Sequence, residues 1–206
     1  MIGHRRAVRF AMQYLPSGLS LDGLVLDIGA NVGDFTAMIR QLEPRSRVIA
    51  VEPSARVRAK LSARFAADPC VRVEDYALSD KVGTATLNVA PDLSEMSSLL
   101  TPKALTTEPE TVDTTTLDAL VDEPVRLLKL DVQGHELAVL NGAAKVLDAT
   151  DALLMEVIFE SLYEGDTMFG SIDRVIRDAG FMLAGITEAH RYEERAVWAD
   201  ACYVKR

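Results

Sequence analysis

Apolar runs that end in or carry an acid recur along this chain: Val25-Leu26-Asp27-Ile28, Val48-Ile49-Ala50-Val51 before Glu52, Val125–Leu130 before Asp131, and Ala152–Phe159 around Glu156. A carboxylate in such a run is costly unless it has a partner or a ligand. If the runs are parallel strands, their carboxyl ends share one rim, where open α/β sheets bind ligands. Asp75, after the short run Val71-Arg72-Val73, adds a further acid to that rim. Behind Asp27 comes Gly29-Ala30-Asn31-Val32-Gly33, a turn whose glycines permit backbone angles closed to other residues and a close ligand approach. Glu52, closing the second run, is placed to grip ribose hydroxyls. A glycine turn beside an acid-lined rim suits a nucleoside that carries positive charge. S-adenosylmethionine, with its sulfonium and amino groups, fits better than a dinucleotide, because the turn lacks the third glycine of Gly-x-Gly-x-x-Gly. The plain alternative is a structural turn beside a chance acid.

The elements that must position these residues follow from patterning. A buried strand over residues 24–28 leads through the glycine turn into a helix over 35–42. Ser54 is expected to cap a helix carrying Val57, Leu61 and Phe65. Strands are expected at 71–73 and 84–89, with Lys81-Val82-Gly83 as a turn between them. Residues 91–110 are rich in Pro, Ser, Thr and acids and read as a long loop, a lid over the site. A short helical turn at 115–120 precedes the strand at 125–132, and Glu136 to Leu147 has the spacing of one helix. Strand 152–159, a helix ending at Gly180 and strands at 181–186 and 196–204 complete the order. Alternating strands and helices imply an α/β fold: a mostly parallel sheet, helices on both faces, and an antiparallel C-terminal edge hairpin. Residues 1–20, with Val8, Met12 and Leu15 on one side and Arg5, Arg6 and Arg9 on another, read as a helical extension of a domain spanning 21–206.

The composition sets limits. With 206 residues and 49% hydrophobic content the chain can bury a sizeable core. A net charge of -9 argues against nucleic acid as the partner, since phosphate binding needs clustered Lys and Arg. Only Cys70 and Cys202 are present, which excludes a disulfide framework or a cysteine-rich metal site. No run has transmembrane length and the N-terminus lacks a secretory core, so a cytoplasmic setting is expected.

Taken together, Asp27-Ile28-Gly29-Ala30-Asn31-Val32-Gly33, Glu52-Pro53, Ala77-Leu78-Ser79-Asp80, Ser97-Ser98-Leu99, Thr116-Leu117-Asp118 and Leu128-Lys129-Leu130-Asp131-Val132-Gln133-Gly134-x-Glu136 resemble the FkbM methyltransferases. The likeness runs in order from about Leu24 to Phe159. It implies a class I (Rossmann-like) methyltransferase fold and S-adenosylmethionine-dependent O-methylation of a small acceptor, a sugar-like or polyketide-like hydroxyl. It carries Asp27, Gly29, Asn31, Gly33 and Glu52 over as cofactor contacts, with Asp75 as a looser candidate near the adenine amino group. Gln133 stands where many members have glutamate, so no acid's role transfers to it.

Methyl transfer to a hydroxyl needs positioning and removal of the hydroxyl proton. Asp131 is the first choice near the methyl group, either as base or as ligand of a divalent cation such as magnesium. The structural alternative has its carboxylate held by the amides of the Gln133-Gly134 turn. His135 has suitable basicity, and Glu156 in its apolar strand is the third catalytic candidate, with Lys129 as its ion partner. Tyr163 either lines the acceptor pocket or is core. Rival readings are a nucleotide-dependent oxidoreductase, which wants a third glycine and a Tyr-x-x-x-Lys pair, and a non-catalytic cofactor-binding protein.

Overall fold

The computed structural model describes Gln13, Tyr14 and residues 19–206. Most of the expected N-terminal extension therefore lies outside the described residues; Gln13 and Tyr14 are helical.

Strand β1 (Leu24–Ile28) is buried throughout and runs between β2 (Arg47–Val51) and β7 (Val125–Leu130), parallel to both. Beyond β2 lies β3 (Val71–Glu74), and beyond β7 lies β8 (Thr150–Ile158), again parallel. The edge is antiparallel: β11 (Arg195–Lys205) pairs with β8 on one side and with β9 (Phe181–Ile186) and β10 (His190–Tyr192) on the other. The parallel order β3-β2-β1-β7-β8 puts the carboxyl ends of these strands on one rim.

Alternation along β1 assigns its faces. Leu24, Leu26 and Ile28 pack with Val139, Leu140, Val146, Leu147 and Ile176. These come from α4 (Glu136–Asn141), α5 (Ala144–Asp148) and α6 (Phe169–Asp178). Val25 faces the other way, against Phe35 and Ile39 of α1 (Asp34–Leu42). Leu61 and Phe65 of α2 (Ala55–Phe65) cover Ala30 and Ala50 beside it. Fully burying each such side chain contributes roughly 1.5–3 kcal/mol, so the sheet's two covered faces dominate the packing.

Three details depart from the expectations and bear on the site. Residues 108–115 form a strand, β6 (Glu108–Thr115), in a separate sheet with β4 (Ala77–Leu78) and β5 (Gly83–Val89). The expected helix over 136–147 is divided between α4 and α5. A Cβ at Gly142 would come within 2.4 Å of the Ser79 carbonyl, and the Asp118 carboxylate accepts the first amides of α5 at Lys145 and Val146. The break lets the chain bend around α3 (Leu117–Leu120), the short helical turn expected at 115–120, whose N-cap Thr116 accepts from the Ala119 amide through its side chain. Ser54 occupies the N-cap of α2 without a side-chain cap bond. The first-turn amide of Ala55 goes instead to Glu110 of β6, while the buried Ser54 Oγ has no hydrogen-bond partner among the described residues.

Candidate active site

The glycine turn wraps over the end of β1 because the neighbouring strands force it. Gly29 has φ 75, and a Cβ there would sit 1.8 Å from the Asp131 carbonyl oxygen, so the approach of β7 requires glycine. Gly33, with φ 81, is needed for packing against Phe65 and Leu61 of α2, and it does not line the cleft. Asn31 also has a left-handed backbone, φ 48, and its amide donates to Glu52 Oε2 at 2.9 Å. The Ser54 amide donates to Glu52 Oε1 at 3.0 Å. Each Glu52 oxygen thus accepts one backbone N–H and retains a lone pair for the cleft that it lines. Burial, opposed by those two amides, pushes the Glu52 carboxyl up to about 7.

The cleft spans about 630 Å³, its open mouth included, and is walled by Gly29, Glu52, Tyr76, Leu78, Val132 and His135. Its roof is the segment expected as a lid. Ser94 accepts from Asn31 Nδ2 at 3.2 Å, and Ser98 Oγ donates to the Gln133 carbonyl at 2.7 Å. Asp75 is exposed and outside this lining, beside Tyr76 rather than within the cleft. Asp27 is fully buried beneath the turn. It accepts from Thr36 Oγ1 at 2.6 Å and pairs with Lys129 Nζ at 3.3 Å. It therefore reaches a ligand only through the turn that it holds.

Lys129 is the hub under the rim. Its ammonium donates to the Gly29 carbonyl at 2.8 Å and lies 3.3 Å from Asp27 and 3.5 Å from Asp131. Burial works against its charge, but the Asp131 and Asp27 carboxylates more than reverse that and hold it protonated. Its ion partners are thus Asp27 and Asp131, not Glu156 as expected. The turn amides expected to hold Asp131 go to Glu136 instead, whose Oε1 accepts from Val132 and Gly134. Asp131 Oδ1 accepts from Gln133 Nε2 at 2.7 Å while Oδ2 faces Lys129. A divalent cation does not fit here: an ammonium already occupies the carboxylate's charged side. Among the described residues no group of three His, Cys, Asp or Glu is placed to hold a metal ion.

Beyond Asp131 and Gln133 opens a second cavity, about 1840 Å³ and open to solvent, lined also by Glu156, Glu160, Tyr192 and Trp198. Asn31, Ser94, Glu95, Asp131 and Gln133 belong to both linings, so the two spaces share a wall. Burial, reinforced by the Asp131, Glu136 and Asp200 carboxylates, pushes Glu156 well above the usual carboxylate range. His135 lies on the other side, in the first cleft. Its Nε2 is 3.0 Å from Ser79 Oγ, and burial lowers its basicity against the opposing pull of Asp80. The structure therefore brings Asp131 and Glu156 together and leaves His135 apart from Glu156. Tyr163 is core, with its hydroxyl donating to Gln133 Oε1 at 2.7 Å.

Sequence reasoning missed Asp200, whose register opposite Glu156 places two acids side by side across β11 and β8. It also missed the stacked pair His190–Trp198, 5.1 Å between ring centroids. The available signal for Asp200 and Trp198 was the strand alternation of 196–204, read there only as an edge; His190 lies outside that run.

The buried acids predict an unusual pH dependence. Burial raises Glu52, Glu136 and Asp200 each to about 7, and Glu156 upward as well. Between their ordinary values and about 7 the folded chain keeps protons that the unfolded chain has released, so stability falls as pH rises. The melting temperature of the ligand-free protein should be higher near about pH 6 than near about pH 8. A melting temperature that rises over that interval would show these carboxyls ionised in the folded state.

Comparison with known proteins decides the family. Residues 27–183 match the Methyltransferase FkbM domain. The chain belongs to the FkbM methyltransferase family. It is 28% identical over 162 residues to 2-O-methyltransferase NoeI of Sinorhizobium fredii, covering 70% of this chain and 67% of that protein. It is 41% identical over 81 residues to AMB antimetabolite synthetase AmbE of Pseudomonas aeruginosa, covering 38% of this chain and 4% of that much longer protein. In three dimensions it resembles the FkbM methyltransferase of Methylobacillus flagellatus KT, with a TM-score of 0.63 at 16% identity, over 95% of this chain and 50% of the other. It also resembles magnesium protoporphyrin IX methyltransferase of Synechocystis PCC 6803 with bound S-adenosylmethionine, with a TM-score of 0.55 at 16% identity, over 98% and 79% of the two chains. The fold is thus that of the class I methyltransferases, and membership in this family displaces the oxidoreductase alternative. No helix among the described residues is long and apolar enough to cross a membrane.

Proposed function

We propose that the chain transfers a methyl group from S-adenosylmethionine to a hydroxyl of a small, sugar-like or polyketide-like acceptor. The observation that carries this is the shared wall. Asn31, Asp131 and Gln133 border both the Glu52 cleft and the open cavity, so a cofactor in one and an acceptor in the other meet at these residues. When bound, S-adenosylmethionine supplies an electrophilic methyl group on a sulfonium. Glu52 accepts the ribose hydroxyls with the lone pairs left free by Asn31 and Ser54. Gly29 and Asn31 admit the ligand to the main chain, and Tyr76, Leu78 and Val132 give the cleft its apolar lining.

On the acceptor side Glu156 is the better base than Asp131. Both Asp131 oxygens are engaged, by Gln133 and Lys129, whereas Glu156 Oε2 has no hydrogen bond among the described residues. With cofactor and acceptor bound, the acceptor hydroxyl would give its proton to Glu156 as its oxygen bonds to the methyl carbon, while the methyl–sulfur bond breaks and S-adenosylhomocysteine leaves with the electron pair. A base whose pKa is raised toward working pH takes a proton more effectively than an ordinary carboxylate. Asp131, which borders both cavities, would offer its carboxylate to the positive charge of the cofactor's sulfonium. The name of NoeI as a 2-O-methyltransferase supports oxygen as the acceptor atom, and the net charge of -9 favours a small molecule over nucleic acid.

The test is transfer of labelled methyl from S-adenosylmethionine into a panel of sugars, polyketide alcohols, amines and RNA. Label in an ether of a sugar or polyketide alcohol is expected. Label confined to amines or RNA would overturn the hydroxyl assignment.

A further inference from the structure

Gln133 stands in the wall between the two cavities, at the position where the family resemblance suggests glutamate. Its backbone is left-handed, φ 55, followed by Gly134 at φ 94. Such angles are uncommon for a residue with a side chain and persist where the surroundings over-determine them. Here the Gln133 carbonyl is held by Ser98 Oγ from the roof, and its Oε1 accepts from the Tyr163 hydroxyl. With the oxygen so fixed, Nε2 must face the acids: it lies 2.7 Å from Asp131 Oδ1 and 3.3 Å from Glu156 Oε1. Its two hydrogens serve two carboxyls. A glutamate in this place would offer acceptors to acceptors, because an ionised carboxylate has no donor.

We infer that Gln133 is a positioning residue for Glu156: its amide, aimed by the Tyr163 hydroxyl, ties the Glu156 carboxyl to Asp131 and leaves Oε2 for the acceptor cavity. The inference rests on the reading of Glu156 as the acceptor-side base. The charged and titratable groups around Glu156 are Asp131 and Lys129 at the end of β7, Glu136 of α4, Asp200 of β11 and the Tyr163 phenol. Among them Lys129 favours the ionised form from a distance, and the carboxylates oppose it. The Gln133 amide is the donor in direct contact with Glu156. A donor to a carboxylate stabilises its charged form, so loss of that donor must raise the carboxyl further.

The experiment labels the glutamate side-chain carboxyls with carbon-13 and follows them by NMR against pH in the full chain. The Glu156 resonance is assigned by its loss in Glu156→Gln. In Gln133→Leu the Glu156 midpoint is expected to rise by about one pH unit, the size of one hydrogen bond to a charged group. In Tyr163→Phe, a change that keeps the ring in the core, the amide is freed to turn and the midpoint should rise by less. Glu123, which pairs with Arg47 at the surface away from both cavities, is the internal reference in every spectrum. A Glu156 midpoint unmoved in Tyr163→Phe and in folded Gln133→Leu would overturn the inference. No cofactor or acceptor enters the titration, so its outcome is independent of methyl transfer. Failed label transfer with a shifted Glu156 removes the proposed function and leaves the clamp; normal transfer with an unmoved Glu156 does the reverse.

Discussion

Glu156→Gln is expected to lower the rate of methyl transfer by roughly 10²–10⁴-fold, the usual contribution of a positioned general base. The substitution keeps the shape of the side chain and removes its capacity to take the proton. S-adenosylmethionine binding should change little, because Glu156 lines the open cavity and not the cleft that holds Glu52. The wild-type rate should climb with pH through the raised pKa of Glu156, since only the ionised carboxyl accepts a proton. Rate measurements from acid to mildly alkaline pH check this directly. An undiminished rate in Glu156→Gln at saturating cofactor and acceptor would return the base's role to Asp131.

The second large effect is on folding. Lys129→Met removes the buried ammonium shared by Asp27 and Asp131 and fills its space with an uncharged chain of similar length. Breaking a buried ion pair by deleting one partner costs about 3–5 kcal/mol, because the other charge is left uncompensated. Here Asp27 is fully buried, and among the described residues, apart from Lys129, only Thr36 contacts its carboxylate with a hydrogen bond. The Gly29 carbonyl also loses its donor, so the glycine turn should loosen along with the strand ends. Denaturant unfolding of the two proteins measures the loss. A change below about 1 kcal/mol, typical of exposed pairs, would mean that Lys129 is solvated rather than buried.

How far the sequence could be read depended on whether hydrophobic pattern or long-range contact decided the outcome. The β1 run, the glycine turn and the helix at 34–42 were legible because burial on both faces gives a continuous apolar strand and the turn needs its glycines. Residues 108–115 were not legible. Their Glu, Pro and Thr carry a loop's composition, and it is pairing with β5 that makes a strand of them. The break at Gly142 was hidden for a related reason: the apolar spacing through Leu147 is helical, but contact with Ser79 and capping by Asp118 end α4 early.

The same division applies to the site. An acid at the end of each strand was visible as pattern, and the structure does gather Glu52, Asp131 and Glu156 around adjoining cavities. Which acid does what was not visible, because that depends on partners remote in sequence. Lys129 takes Asp27 and Asp131, Glu136 takes the turn amides, and Gln133 ties Asp131 to Glu156. The place of Gln133 in the site thus becomes intelligible through Tyr163, which is thirty positions away in the chain and in direct contact in space.

The central claim is that S-adenosylmethionine occupies the cleft between the Gly29 turn and Glu52. Titration calorimetry with S-adenosylmethionine, on the wild-type chain and on Glu52→Ala, tests it most directly, with NAD as the comparison ligand. The account predicts saturable binding of S-adenosylmethionine and none of NAD. It also predicts a loss of about 1–3 kcal/mol in Glu52→Ala, the size of hydrogen bonds to a charged group. Equal affinity in the two proteins, or no binding of S-adenosylmethionine to the wild type, would contradict it.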